Sequence, residues 1–279
     1  MIPELFCGLC DDAALFPPGN AALGDAVQAH VAFAEAPYAD MVGPFIIPAK
    51  GLDSLAEHTR ACREMVQIAV TASVPAIQRT LAAVDGMTGV RLAALDVVLG
   101  EQMAAGQVVP TIRNALAGRE VTVYVEVPRD SRRNAVVREL AAGGLRAKLR
   151  TGGIKADLYP DERELAGSLV ALAAAGVPFK ATAGLHHAIR NTDPQTRFEQ
   201  HGFLNLLVAA HAASEGAPAD TVAHILAERD PAIVTAQVDK LDAEVRTALR
   251  SFGTCSISEP LGELTELGLL PAALEAAAP

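Results

Sequence analysis

Aromatic residues and basic charge are scarce in this sequence. It contains no tryptophan and only 4% aromatic residues, and its 23 lysines and arginines face 33 aspartates and glutamates, which leaves a net charge of -10. Proteins that bind nucleic acid usually carry a basic stripe that meets the phosphate backbone. We therefore expect no nucleic-acid partner.

The sequence also lacks a run of about 20 apolar residues, the length that a helix needs to cross a bilayer. Its hydrophobic residues make up 51% of the chain and are mostly alanine and leucine at helical spacing. The opening stretch MIPELFCGLCDDAALF has no basic segment ahead of its apolar residues, unlike a secretory signal. These features predict no membrane association and a cytoplasmic protein.

Cysteine is rare as well. Only Cys7 and Cys10, of four cysteines, form a C-x-x-C pair, and no second pair completes a zinc site. Residues three apart on a strand point to opposite faces, which is poor geometry for a redox dithiol. We interpret the cysteines as small buried residues, and we predict that the protein uses no cofactor.

What the chain does contain is a regular alternation of two patterns. Apolar runs of strand length alternate with alanine-rich stretches of 3.6-residue period, which is typical of βα units around a parallel sheet. The predicted strands cover 4–9, 41–48, 65–71, 89–95, 120–127, 145–151, 178–184 and 251–257. The predicted helices lie near 22–36, 52–63, 74–84, 101–116, 130–142, 161–175, 200–214 and, in two pieces, 218–249.

This alternation favours a closed α/β barrel, the (β/α)8 TIM barrel, over an open sheet. An open doubly wound sheet is the alternative, but no G-x-G-x-x-G motif follows the first strand. We predict a single domain over residues 1–279, with an extra helical segment between strands 7 and 8. Active sites of such barrels lie at the carboxyl ends of the strands, so polar residues there are the functional candidates.

Two of the five lysines stand inside predicted strands. Lys148 lies in RAKLRTGG of the sixth strand, on the same face as Arg150, and Lys180 lies in PFKATAGLHH of the seventh. Because an unpaired buried charge is costly, crowding these cations in one pocket predicts a lowered lysine pKa, and a neutral lysine is a nucleophile for carbonyl carbon. The alternative is that the lysines reach the rim or pair with Asp96 and Glu126.

Glycines follow both of these strands. Gly152 and Gly153 come after the sixth strand and Gly184 closes the seventh. Backbone amides at glycines can approach an anion closely, and many barrels bind phosphate on the last two βα loops. A tight turn alone would also explain the glycine pair.

Carboxylates stand at two other strand ends. Glu126 ends the fifth strand and could hold a lysine charged, relay protons or simply neutralise Arg150. Asp11 and Asp12 begin the first βα loop, where they could position a hydroxyl group or a lysine, or cap the following helix.

Histidines cluster after the seventh strand. His186 and His187 follow it directly, and His201 comes one helical turn before Asn205. A histidine pKa near 6.5 suits acid-base work or binding of substrate oxygens. The alternative role is a metal site formed by His186, His187 and His201, which requires three or four converging ligands.

Two of the motifs resemble those of the class I deoxyribose-phosphate aldolase group. That family's sixth strand ends in a K-T-S-T-G-F-type motif, which K-L-R-T-G-G matches at Lys148, Thr151 and Gly152. Its seventh strand reads like K-A-S-G-G-I, which K-A-T-A-G-L matches at Lys180 and Gly184. The resemblance implies that Lys148 forms a Schiff base with the substrate and that Lys180 tunes it.

Two further stretches extend the resemblance in the same order. L-D-V-V is similar to the family's V-D-V-V strand end and implies that Asp96 shuttles protons, and F-G-T-C-S is similar to F-G-A-S-S, which places Ser256 on a phosphate loop. Arg150 and the histidine pair depart from the pattern, and the interval before the last strand is longer. The first 85 residues lie outside the resemblance and are more similar to a bacterial protein group of unassigned function.

The leading hypothesis is therefore a Schiff-base lyase or aldolase acting on a small oxo compound, phosphorylated, carboxylated or neither. The alternatives are a metal-dependent barrel lyase, isomerase or hydrolase that uses the histidines, and a non-catalytic ligand-binding barrel. A small-molecule substrate is the expected partner, and a homo-oligomer is left open. The catalytic candidates are Lys148, Lys180 and Asp96, and the substrate-binding candidates are Arg150, Thr151, Gly152, Gly153, Thr182, Gly184, His186, His187, Ser256, Glu126 and Asp12.

Overall fold

A closed barrel of parallel strands organises the chain. The computed structural model describes residues 1–60, 62 and 65–277. The strands are β1 (Cys10–Asp12), β2 (Val42–Pro48), β3 (Val66–Ser73), β4 (Val90–Val98), β5 (Val123–Glu126), β6 (Arg146–Arg150), β7 (Phe179–Thr182), β8 (Asn191–Thr192), β9 (Glu199–Gln200) and β10 (Leu249–Thr254). The barrel has the order β1-β10-β7-β6-β5-β4-β3-β2, and β8 pairs with β9 as a separate antiparallel hairpin.

Helices connect successive strands of the barrel. The α-helices are α1 (Leu23–Phe33), α2 (Leu52–Thr59), α3 (Ile77–Asp85), α4 (Ala105–Leu116), α5 (Arg133–Gly143), α6 (Glu162–Ala174), α7 (Phe203–Ser214), α8 (Ala219–Ala227), α9 (Pro231–Val238) and α10 (Ser258–Glu266). Short 3-10 helices cover Glu4–Phe6, Ala39–Met41, Ala49–Gly51, Val74–Ala76, Ala156–Leu158, Ala243–Thr247 and Ala272–Ala277. This alternation around a closed parallel sheet is the (β/α)8 TIM barrel, which confirms the predicted fold class. None of the helices in the described ranges is long and apolar enough to cross a membrane.

The structure differs from the predicted elements in two places. The predicted strand at 4–9 is wrong, because a 3-10 helix occupies its start and Gly8 turns the chain with a φ of +58°, so β1 begins only at Cys10. Helix α10 was not predicted, because Pro260 and a glycine interrupt its pattern; the proline lies in the first turn, where its missing N–H is tolerated. The other predicted elements agree in type with shifted ends, although the prediction at 52–63 lies partly outside the described residues.

Alanine occupies several positions inside the barrel. Along β3, Ile68 and Val70 belong to the large core, whereas Ala69 between them belongs to a smaller cluster. That cluster contains Ala13, Ile46, Ala69, Ala94 and Tyr124. TIM barrels usually fill this space with layers of bulky branched residues. The small residues leave room inside the barrel for charged side chains.

The predicted extra segment between the seventh and eighth barrel strands is present. It comprises the β8–β9 hairpin with α8, which packs on α6 and α7, and α9, which packs on α7. Asn205 on α7 fastens it: its side chain accepts the N–H of Arg190 at 2.8 Å and donates to the carbonyls of Ile225 and Glu228 at 2.9 and 2.8 Å. All the hydrogen-bonding atoms of this buried amide therefore serve to dock the segment.

His201 anchors the same region. It is fully buried, with Nε2 at 2.8 Å from the carbonyl oxygen of Pro160 and Nδ1 at 3.3 Å from Nη1 of Arg190. Because a carbonyl only accepts and a guanidinium only donates, the neutral imidazole with its proton on Nε2 satisfies both contacts. Burial, reinforced by Arg190, lowers the pKa of His201 to about 4. Both ring nitrogens are thus engaged, which removes His201 from the predicted metal site.

Acid should destabilise the chain through His201. Its pKa is about 4 in the fold and about 6.5 in the unfolded chain, so its stabilising contribution is complete above pH 6.5 and is lost as the pH falls toward 4. Between pH 7 and 4.5, we expect the free energy of unfolding to fall by about 2 kcal/mol more for the wild type than for His201→Gln, measured by urea denaturation. His224→Gln, at an exposed helical histidine, is the matched control. Equal pH slopes for wild type and His201→Gln would contradict this assignment.

Candidate active site

The two strand lysines lie side by side inside the barrel. Lys148 on β6 is in register with Lys180 on β7, and both are buried. Asp96 on β4 lies between their ammonium groups: Oδ2 is 3.1 Å from Nζ of Lys148, and Oδ1 is 2.7 Å from Nζ of Lys180. Asp11 on β1 continues the series, with Oδ2 at 3.2 Å from Nζ of Lys180. We call Lys148, Asp96, Lys180 and Asp11 the buried ion chain.

The charges of the ion chain stabilise one another. Burial would by itself lower the pKa of Lys180, but Asp96 and Asp11 outweigh it, so the pKa of Lys180 is raised. Burial would likewise raise the pKa of Asp96, but Lys180 and then Lys148 outweigh it and lower that pKa. For Asp11, the effect of burial exceeds the opposing effect of Lys180, so the pKa of Asp11 is raised. Crowding therefore does not lower the pKa of Lys180, because two carboxylates compensate its charge.

A cavity of about 240 Å³ opens at the carboxyl ends of the strands, and Lys148 lines it. Its wall is largely apolar, and two wall residues, Val98 and Ile154, are 38% and 71% exposed at the rim. The other apolar side chains of the wall are Ala13, Phe16, Pro17, Ile46, Leu158 and Ala183. The polar side chains are Thr71, Glu126, Arg150, Thr182, His186 and Cys255, and Gly153, Gly184 and Gly253 complete the lining. The cavity thus presents one end of the ion chain to a ligand.

Arg150 and Glu126 form an ion pair on the cavity wall. Nε of Arg150 donates to Oε1 of Glu126 at 2.8 Å, and Nη2 lies 3.4 Å from Oε2. Glu126 therefore neutralises Arg150, which is one of the roles considered for it. The guanidinium is not the uncompensated anion holder that its sequence position suggested.

The loops after β6 and β7 are packed against each other. A Cβ atom on Gly152 would lie 2.7 Å from the Cα of Gly184 and 2.6 Å from the ring of Tyr159. The close approach of the two loops therefore requires glycine at this position. Thr151 is buried beside them, and its hydroxyl donates to the carbonyl of Ala183 at 2.6 Å. Gly152 and Thr151 therefore join the two loops and do not line the cavity.

Other predicted binding residues also lie outside the cavity. Asp12 points to the opposite face from Asp11, because side chains alternate on a strand, and contacts Nδ1 of His30 at 2.9 Å. Ser256 accepts the N–H of Glu259 near the start of α10 at 3.2 Å. Nδ1 of His187 lies 2.5 Å from Glu263, which raises the pKa of His187. These three contacts account for the positions of the Asp12, Ser256 and His187 side chains without a bound substrate.

His186 belongs to the cavity. Its Nδ1 lies 3.6 Å from Sγ of Cys255 and 4.0 Å from Oε2 of Glu259. Burial lowers the pKa of His186, so its imidazole is neutral near pH 7 and can accept a proton. Burial also raises the pKa of the Cys255 thiol, which therefore stays protonated.

Sequence reasoning missed Tyr124 and described Asp11 only in part. Asp11 was considered a loop residue that could position a lysine, and its pairing with Lys180 follows only once β1 is placed at 10–12. Tyr124 was read as an ordinary strand residue, but its ring centroid lies 4.7 Å from Nζ of Lys180. An aromatic face favours a nearby cation, so Tyr124 adds to the stabilisation of the ammonium group. Its in-register position opposite Asp96 was the available signal.

The alternative metal site is not assembled in the described structure. Across residues 1–60, 62 and 65–277, no three His, Cys, Asp or Glu side chains converge as a metal ion would require. His187 and His201 each have other partners, and His186 faces the cavity. These histidines therefore do not form a three-ligand site within the described residues.

Comparisons with known proteins supply only distant likenesses. No protein-family model matches the chain, and no curated protein matches it either. Among solved structures, the carboxyl transferase domain of Rhizobium etli pyruvate carboxylase, determined with pyruvate and biocytin, is 11% identical with a TM-score of 0.45, and covers 97% of this chain and 46% of its own. Dihydrodipicolinate synthase from Oceanobacillus iheyensis is 14% identical with a TM-score of 0.39, and covers 95% and 97%. The chain thus spans less than half of the first structure, and similarity this low assigns no activity.

Replacing Asp96 should be more damaging than replacing Glu126. Asp96→Asn removes the charge that two buried ammonium groups share, and loss of one partner from a buried ion pair costs about 3 to 5 kcal/mol. Glu126→Gln removes the same charge from a pair at the cavity mouth, where about 1 kcal/mol or less is expected. Urea denaturation of the two variants measures both losses. Equal losses would mean that the ion chain contributes no special stability.

Proposed function

We propose that the protein is a Schiff-base lyase of the aldolase type that acts on a small carbonyl compound. One observation carries the proposal: Lys148 is the member of the buried ion chain that lines the cavity at the carboxyl ends of the strands. Active sites of TIM barrels lie at this end. The motif resemblance that carries Lys148, Lys180 and Asp96 supports the same assignment of roles.

The ion chain suggests how Lys148 becomes a nucleophile. Asp96 is closer to Lys180, at 2.7 Å, than to Lys148, at 3.1 Å, and Lys180 has a second carboxylate in Asp11. Most of the compensating negative charge thus lies beside Lys180, and the raised pKa of Lys180 keeps it protonated. Lys148 shares Asp96 with this neighbouring cation, and Asp96 is the carboxylate in contact with the Lys148 nitrogen that would take its proton.

The proposed reaction uses only groups of the protein, the substrate and water. Nζ of Lys148, once its proton has passed to Asp96, attacks the carbonyl carbon, and the carbinolamine that forms loses water to leave a protonated imine. The bond between the α and β carbons then breaks, its electron pair forms an enamine with the iminium, and the β-hydroxyl group gives its proton to a base as an aldehyde leaves. Protonation of the enamine carbon and addition of water release the second product and restore Lys148.

His186 is the proposed base for the β-hydroxyl group. It lines the same cavity as Lys148, and burial keeps its imidazole neutral near pH 7. Asp96, which touches both lysines, would move protons to and from the nitrogen of Lys148. The proton that His186 takes from the β-hydroxyl group returns to the enamine carbon after the aldehyde has left, and Asp96 serves the proton transfers at the nitrogen of Lys148.

The polarity of the cavity favours an uncharged substrate. Arg150 is neutralised by Glu126, Gly152 is engaged in loop packing, and Ser256 lies at the start of α10, which leaves Gly153 and Gly184 as the candidates for a phosphate site that line the cavity. Phe16, Ile46 and the exposed Ile154 form much of the wall instead. We therefore propose a short aldehyde or ketone with an apolar substituent, in preference to a phosphorylated or carboxylated compound.

Reductive trapping tests the Schiff base. Borohydride added with a panel of short aldehydes and ketones should fix a mass adduct on Lys148, because an imine is reduced to a stable amine. The adduct is located by mass spectrometry of proteolytic fragments. Lys148→Arg should abolish it, whereas Lys155→Arg, at an exposed lysine near the cavity rim, should retain it. No adduct on Lys148 with any carbonyl compound would overturn the proposed function.

The same assay tests the substrate class. At equal concentration, uncharged carbonyl compounds should give at least about tenfold more Lys148 adduct than phosphorylated or carboxylated analogues, since the two cations on the cavity wall, Lys148 and Arg150, are each paired with a carboxylate. A larger yield with phosphorylated compounds would contradict the uncharged substrate while leaving the Schiff-base mechanism intact.

A further inference from the structure

A second cavity lies at the opposite end of the barrel. It has a volume of about 190 Å³, and most of its lining comes from the first residues of barrel strands or the residues just before them. Its lining residues are Gly8, Asp11, Pro44, Ala93, Ala94, Thr122, Tyr124, Arg146, Lys180, Arg250 and Ser251. We call it the amino-end cavity. It exists because glycine, alanine and serine occupy positions that branched apolar side chains usually fill.

The amino-end cavity is positively charged. Arg146, Arg250 and Lys180 line it, and Asp11 is the one acidic residue among its lining residues in the described part of the chain. Asp11 is already paired with Lys180. The excess of two positive charges is notable because the chain as a whole carries a net charge of -10.

Neither guanidinium has a carboxylate partner within the described ranges. Arg146 donates from Nη1 to the hydroxyl of Tyr124 at 3.0 Å, and Arg250 donates from Nη1 to the carbonyl of Arg246 at 2.9 Å. Arg146 is partly buried and Arg250 is exposed. The remaining N–H groups of Arg146 and Arg250 are thus available to an acceptor.

We propose that the amino-end cavity binds a phosphate group, held by Arg146 and Arg250. A phosphate carries about -1.5 to -2 charges at pH 7, which matches the excess charge of the cavity. Guanidinium groups bind phosphate oxygens through paired N–H donors, and small lining residues let the anion approach them. This site lies outside the cavity of the proposed reaction, and it does not depend on that reaction.

A larger phosphate ester also has room here. An adjoining open hollow of about 420 Å³ shares Thr122 and Arg146 with the amino-end cavity, and Arg113 lines it. Glu120 also lines this hollow and would oppose a second anionic group. Inorganic phosphate and a phosphate monoester are therefore the two probes.

Calorimetric titration of inorganic phosphate into the full chain, in low-salt buffer free of other oxyanions, tests the proposal. We expect saturable binding that Arg250→Gln weakens at least about tenfold, because it removes charge-assisted hydrogen bonds. Arg146→Gln should act in the same direction. Arg91→Gln, at an exposed arginine near the start of β4, makes the same charge change outside the cavity and should leave the affinity unchanged.

Arg150→Gln tests whether phosphate binding depends on the cavity at the carboxyl ends of the strands. It changes a charge in the carboxyl-end cavity and should leave phosphate binding unchanged. Loss of phosphate affinity in Arg150→Gln but not in Arg250→Gln, equal weakening in Arg91→Gln, or no saturable binding by the wild type would each overturn the proposal. Glycerol 3-phosphate, titrated in parallel, identifies the source of the group: tighter binding than inorganic phosphate indicates a phosphate ester, and weaker binding indicates the free ion. Either result requires the Arg250 dependence.

Discussion

The sharing of Asp96 between two buried lysines is the constraint on which the rest of this structure depends. Three charges inside a barrel are tolerated only because the carboxylate touches both ammonium groups, and Asp11 and the ring of Tyr124 complete the surroundings of Lys180. The small side chains of the barrel interior follow from this arrangement. Bulky residues at those positions would fill the space that the ion chain occupies.

The ion chain also divides the interior of the barrel into two functional ends. Lys148 faces an apolar cavity at the carboxyl ends of the strands, whereas Lys180 and Asp11 face a cationic cavity at the amino ends. The same buried charges thus lie between the two cavities for which we propose a carbonyl compound and a phosphate group. In most TIM barrels a packed apolar core closes this axis. Here the ion-paired side chains of Lys148, Asp96, Lys180 and Asp11 occupy it.

Sequence reasoning predicted well the features of the fold that depend on regular periodicity and on the adjacency of consecutive strands. The alternation of apolar runs and helical stretches predicts the barrel, and consecutive strands 6 and 7 predict that Lys148 and Lys180 are adjacent. Side-chain contacts were predicted poorly. Thr151, Gly152 and Ser256 carry family-like motifs, but in this structure their atoms join loops or lie at the start of a helix. A short motif specifies residue types and does not specify which partner each polar atom selects.

The sequence alone determined the fold class, the extra helical segment and the proximity of the two lysines, because these depend on local periodicity and on strand order. Only the tertiary structure decided that Asp11, 169 residues before Lys180, belongs to the same ion chain. It also decided that Arg150 is neutralised by Glu126 and that His201 is an anchor. Closure of the barrel joins the first strand to the last, and pairings across that closure depend on register, which a sequence pattern does not specify.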